Sequence, residues 1–224
     1  MASQSVYEAA HKGDLDFVKV KLEEDPKLLL STDNNARMLI HWAALSGNLK
    51  LVAYLYELGS PLNSSDDTDT TPLILSSSAG HTEIVNFILE NEDDVNHKTS
   101  NGHSALQYAA SKNWVEICRL LLEEDADINI SDTRGSTPLH RAASKGNIET
   151  VRLFLEHIDK LRIDQKDAYG NTPLHLSCEE DRQDIAMLLV ENGADIEATN
   201  RDGKRPVDVC NIKLAKLLIN KINK

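Results

Sequence analysis

The sequence predicts an all-α repeat solenoid: seven units in a single curved stack, each a helix–turn–helix followed by a hairpin-like finger. Three observations predict it. The string TPLH recurs with similar neighbours in "STPLHRAASKGNIETVRLFLE" from Ser136 and "NTPLHLSCEEDRQDIAMLLVE" from Asn171, and in altered form in "TTPLILSSSAGHTEIVNFILE" from Thr70. Its histidine position falls at Glu8, His41, Ile74, Gln107, His140, His175 and Asp208, in steps of 33 residues with one step of 35. Aromatic residues are only 4% of a chain that is 41% hydrophobic, so the core is built from Leu, Ile, Val and Ala. Small aliphatic side chains suit many short helices packed closely.

The units run approximately over 3–36, 37–69, 70–102, 103–135, 136–170, 171–203 and 204–224 and form one domain over 1–224. The fifth shows the elements most plainly. Gly135 permits a positive φ in a tight turn, Thr137 is a good N-cap and Pro138 a good first helical residue. Leu139, Ala142 and Ala143 make a small-residue apolar face, and Gly146 ends the helix. Ile148, Val151, Phe154 and Leu155 then recur at helical spacing and make a second helix. A polar, turn-rich stretch leads into the next unit.

The other units are read against this one. The first opens directly in its helix, and the last ends in "KLAKLLINKINK", whose lysines suit a helix C-terminus. Ala36 and Asp69 stand where the second and third units need a turn glycine, so less regular fingers are expected there. Asp181-Arg182 replaces the helix-ending Gly-His pair in the sixth, which predicts a locally weaker repeat and first opening in units six and seven. The two extra residues of the long step fall in "EHIDKLRIDQKD", a lengthened loop.

Several kinds of chemistry find no support. A net charge of −12 lacks the basic face that phosphates need, so no nucleic-acid partner is expected. Cys118, Cys178 and Cys210 are far apart and form no CxxC, as in a reducing compartment. No apolar run is long enough for a membrane span. His41, His140 and His175 stand one per repeat, which points to backbone hydrogen bonds rather than a metal site. There is no phosphate loop, HExxH or nucleophile elbow, so no enzyme, catalytic residue or cofactor is expected.

What remains is a surface for a protein partner. In a stack, the residue after the turn glycine and the pair ending the first helix line the concave face. Those positions hold Arg37, Thr70, His103, Ser136 and Asn171, together with Lys112, Lys145, Glu179 and Glu180. The residue after the histidine position adds Trp42, Tyr108 and Arg141. Basic and aromatic groups thus occupy the middle of an acidic chain, flanked by Asp66, Asp67 and Asp69 and by Glu179 and Glu180. Arg37 and Lys112 are expected to point away from the stack, so that the fold tolerates their loss. The string Leu176-Ser177-Cys178-Glu179-Glu180 matches L-x-C-x-E, a docking motif for retinoblastoma-type pocket proteins, but it falls within a helix with Cys178 on the packed side. Nothing in the pattern asks for a second copy, and a monomer is expected.

The period is that of ankyrin repeats. The strings "RMLIHWA", "YAASKN", "HRAASKGN" and "GNTPLHLSCEE", with seven repeats in a short chain, resemble the gankyrin family, non-ATPase regulatory subunits of the 26S proteasome. That resemblance implies a chaperone of regulatory-particle assembly, holding the C-terminal domain of one proteasomal ATPase subunit of the base on its concave face. Arg37 and Lys112 match the family's ATPase-binding positions. It also implies residence in cytoplasm and nucleus, and links to a retinoblastoma-type protein, a cyclin-dependent kinase and a ubiquitin ligase. The competing reading is a general ankyrin adaptor, or an inhibitor of a kinase or of a cell-cycle or transcription regulator.

Overall fold

The computed structural model describes residues 5–92 and 94–222, and its helices fall into two compact units. The first runs to Ala105 and takes in Glu123–Ala126; the second is Leu106–Leu122 with the chain from Asp127 onward. The first unit holds α1 (Val6–His11), α2 (Leu15–Glu24), a 3-10 helix (Pro26–Leu30), α3 (Leu39–Ser46), α4 (Leu49–Glu57), α5 (Pro72–Ala79) and α6 (Thr82–Leu89). The second is built mainly from α7 (Ala105–Lys112), α8 (Val115–Glu123), α9 (Pro138–Lys145), α10 (Ile148–Leu155), α11 (Pro173–Glu179), α12 (Gln183–Glu191), α13 (Pro206–Val209) and α14 (Ile212–Ile222). No strand occurs among the described residues.

Each pair of helices is one repeat. First helices pack on first helices: α1 on α3 and α3 on α5 in one unit, α9 on α11 and α11 on α13 in the other. Ala9, Ala10, Ala43, Ala44, Ala109, Ala110, Ala142 and Ala143 are fully buried and let these helices approach. Second helices close the core from the other side, with Leu51, Leu55, Ile84, Ile88, Ile117, Leu121 and Phe154 buried. Removing a side chain such as Phe154 would cost about 3–5 kcal/mol.

Local chemistry sets the helix ends. Thr71, Thr137 and Thr172 cap α5, α9 and α11 with their side chains, each followed by proline. Gly47, Gly80 and Gly146 end α3, α5 and α9 in the left-handed region. The residue after this helix-ending position reaches back one repeat. Asn48 donates to the Gly13 carbonyl, His81 lies 3.0 Å from that of Leu45, and Asn147 donates to that of Ala110.

The substitution in the sixth repeat keeps both roles. Asp181 adopts φ 54 at the helix end, and Arg182 donates to the Ser144 carbonyl at 3.3 Å. Asp181 also accepts a hydrogen bond from Asn211 of the following repeat. The local geometry that glycine and histidine provide elsewhere is therefore preserved.

The histidines join repeats in the same manner. His140 Nδ1 accepts from Thr137 N–H, and its Nε2 lies 3.0 Å from the Asn171 carbonyl. His175 repeats this with Thr172 and Lys204, and His41 with Met38 and Ser64. Gln107, at the same register, donates to the Ser136 carbonyl at 2.6 Å. Burial lowers the pKa of all three histidines against the opposing pull of those carbonyls, so the rings stay neutral near pH 7.

Candidate functional site

The finger turns position the surface residues, and a side chain organises each turn. Asp33 Oδ1 accepts from the N–H groups of Asn35 and Arg37, and Asp66 Oδ1 from those of Thr68 and Thr70. Asp132 does the same for Arg134 and Ser136, Asp167 for Tyr169 and Asn171, and Asn200 for Asp202 and Lys204. An Asp or Asn can fold its own backbone in this way. Ala36 (φ 58) and Asp69 (φ 57) adopt the same left-handed conformation as Gly135 and Gly170. The fingers of the second and third repeats are therefore as regular as the rest, contrary to expectation. The aspartate turn imposes the conformation without a glycine.

The second carboxylate oxygen of these aspartates recruits three residues expected on the binding face. Trp42 Nε1 donates to Asp33 Oδ2 at 2.9 Å, and Arg141 forms an ion pair with Asp132 from the equivalent position. In the third repeat that position is Leu75, which cannot donate, and Asp66 Oδ2 instead receives Arg37 Nε, 29 residues earlier in the chain, at 2.9 Å. The Arg37 side chain is 21% exposed and that of Asp66 is 0%. The Arg37 guanidinium also lies 5.1 Å from the Trp42 ring centre, in cation–π range.

Asp66 was expected to flank the surface; it is interior, and its charge serves the stack. Burial raises its pKa, but hydrogen bonds from the Thr68 hydroxyl, the Thr70 N–H, Arg37 and the Thr68 N–H outweigh burial and lower it to about 2. Thr70 is buried as well. Arg37 does not simply point away from the stack, so its loss would disturb the fold.

The remaining predicted residues divide between the units. In the first, Asp67 and Asp69 are exposed, and Asp69 accepts from the Ser100 hydroxyl. His103 is half-buried. In the second, Tyr108, Ser136 and Asn171 are half-buried, whereas Lys112, Lys145, Glu179 and Glu180 are exposed. Asn171 accepts from Asn200 Nδ2, and Glu180 lies 3.9 Å from Arg182. Lys112 and Lys145 make no ion pair among the described residues; both end first helices, at equivalent positions of adjacent repeats.

Leu176 is half-buried and Cys178 is 1% exposed within α11, so an extended L-x-C-x-E peptide is not presented. Burial pushes the Cys178 thiol pKa far up, with the neighbouring Cys210 adding to it.

Tyr169 escaped the sequence reading. It is 61% exposed at the tip of the sixth finger and lines a cleft of about 220 Å³ with Glu179, Arg201 and Lys204. Its signal was position: it directly precedes the turn glycine, two residues before the position scanned for surface variability. No group of three or more potential metal ligands occurs among the described residues. No helix among them is long and apolar enough to cross a membrane.

Comparison with known proteins agrees with this geometry. The profile of a family described as "Ankyrin repeats (3 copies)" matches residues 6–99, 40–132, 91–164 and 125–200. The chain is 40% identical over 63 residues to the 26S proteasome non-ATPase regulatory subunit 10 of Mus musculus, which is 28% of this chain and 27% of that protein. It is 49% identical over 47 residues to protein phosphatase 1 regulatory subunit 27 of Homo sapiens, 21% of this chain and 30% of that one. Each match thus spans under a third of the relative's length. Among solved structures, the human ASB11 ankyrin repeat domain superposes with a TM-score of 0.85 at 23% identity, over 98% of both chains. The ankyrin repeat domain of Bcl-3 gives 0.82 at 21% identity, over 98% of this chain and 99% of that one.

Proposed function

The chain belongs to the ankyrin-repeat family, and from that premise we propose a non-enzymatic binding protein that serves as an assembly chaperone of the 26S proteasome regulatory particle. In this reading its fingers and first helices hold the C-terminal domain of one base ATPase subunit, in cytoplasm and nucleus, and it acts as a monomer. The whole chain is the binding unit.

The observation that carries the reading is the pair Lys112 and Lys145: two exposed cations without ion pairs among the described residues, at equivalent places of consecutive repeats, in a chain of net charge −12. Uncommitted charges of one sign on one face guide encounter with a partner of opposite sign. The 40% identity to a proteasomal non-ATPase subunit over 63 residues supports the choice of partner. The buried Cys178 speaks against docking on a retinoblastoma-type protein through L-x-C-x-E. A link to a cyclin-dependent kinase or a ubiquitin ligase rests on family resemblance alone.

Affinity purification from cell extract, with mass spectrometry, tests the reading. The wild-type protein is expected to retain a base ATPase subunit, and a Lys112→Glu/Lys145→Glu variant to lose it. Retention of protein phosphatase 1 with no ATPase would favour the second reading, a general adaptor, for which the 49% identity to a phosphatase regulatory subunit speaks. Equal ATPase recovery by both proteins would remove these lysines from the site.

A further inference from the structure

A cavity of about 550 Å³ opens in the first unit between α1 and the turn that precedes α3. Tyr7, His11 and Trp42 supply its rings, and Glu8 and Asp33 its charged groups. No lysine or arginine lines it among the described residues. The nearby cations are already engaged: Lys12 with Glu8 Oε1 at 2.7 Å, and Arg37 with Asp66.

The walls are held in place before any ligand arrives. The Trp42 indole is fixed by its N–H on Asp33 and by His11, whose ring meets it edge-on at 5.1 Å. The Tyr7 hydroxyl lies 2.8 Å from that of Ser31. Asp33 forms no ion pair among the described residues. Its Oδ1 is taken up by two backbone N–H groups, while among the described residues Oδ2 receives only Trp42 and keeps accepting capacity; Glu8 keeps Oε2.

We propose that this cavity is a subsite for the guanidinium of a partner's arginine side chain. A planar cation fits between aromatic walls and can donate to two carboxylates at once, which an ammonium point charge does less well. The cavity shares Trp42 with the proposed protein-binding face, so an arginine of the partner would anchor it at the first repeats. The inference rests on the proposed function only for the source of that arginine.

A small probe separates the two. The chain has two tryptophans, Trp42 and Trp114, and the second is 41% exposed in the other unit, so the indole N–H signals in a proton–nitrogen NMR spectrum provide both reporter and reference. Titration with Nα-acetyl-arginine amide should shift the Trp42 signal saturably at millimolar concentration and leave that of Trp114 in place. The neutral citrulline analogue and the lysine analogue should bind about tenfold and about threefold more weakly. Glu8→Gln, an exposed substitution, should weaken the arginine probe about threefold to tenfold with the rest of the spectrum unchanged. The absence of a saturable shift overturns the proposal, as does equal binding of citrulline or lysine analogues, or wild-type binding by the Glu8→Gln protein. Failure to bind an ATPase domain leaves this result intact.

Discussion

At the scale of single residues, Arg37 shows how one side chain can be read two ways. From position alone it belongs to a binding face; in the structure its charge answers the carboxylate of Asp66. Its replacement by alanine leaves that carboxylate buried with only its turn hydrogen bonds. Urea titration of Arg37→Ala should show a loss of about 1–3 kcal/mol; unchanged stability would mean that the turn alone satisfies Asp66. Acid should act on the same group. Its folded pKa of about 2 lies below the ordinary 3.8, so its contribution is present above 3.8 and is lost as pH falls towards 2, about 2 kcal/mol in all.

The buried histidines act earlier. Burial lowers their folded pKa values below the ordinary 6.5, so as pH drops through 6.5 the unfolded chain gains protons that the folded chain refuses. Stability should be full above that value and decline below it. His140→Gln copies the solution at Gln107 and should reduce the slope of urea midpoint against pH between 7 and 5.5. An unaltered slope would remove His140 from the account.

At the scale of elements, the repeat was legible because its signals are local. Threonine-proline starts, helix-ending glycines and alanine faces each specify one piece of backbone, and the helices follow them. The turn aspartates carried a signal too, an Asp or Asn three residues before the positive-φ position at 33, 66, 132, 167 and 200. Read as charges they imply solvent; read as turn formers they predict regular fingers. The pairing of their second oxygens was not legible, because Asp66 finds its partner 29 residues earlier in the chain. The cavity at Tyr7 and Trp42 was hidden as well, since the surface was read from the second to the sixth repeats and α1 belongs to the first. Ala36 supplies a test at this scale. It holds φ 58 with no side-chain hydrogen bond to offset the strain, so Ala36→Gly should stabilise by about 1 kcal/mol in urea or thermal unfolding. A loss of stability would show that the turn does not strain the alanine.

At the scale of the molecule, charge separates the structural from the uncommitted. Arg37 and Arg141 are spent inside the repeats, whereas Lys112 and Lys145 are exposed and carry no ion pair among the described residues. Replacing these lysines should leave the unfolding midpoint nearly unchanged, since exposed side chains contribute little to stability. The direct test is titration calorimetry of the wild-type protein and a Lys112→Ala/Lys145→Ala variant against the C-terminal domain of the proteasomal ATPase, at two salt concentrations. Wild-type affinity should fall as salt rises, and the double variant should bind about tenfold or more weakly with a flatter salt dependence. Equal affinity of the two proteins at both salt concentrations would remove these lysines from the site, and no binding by either would contradict the proposed function.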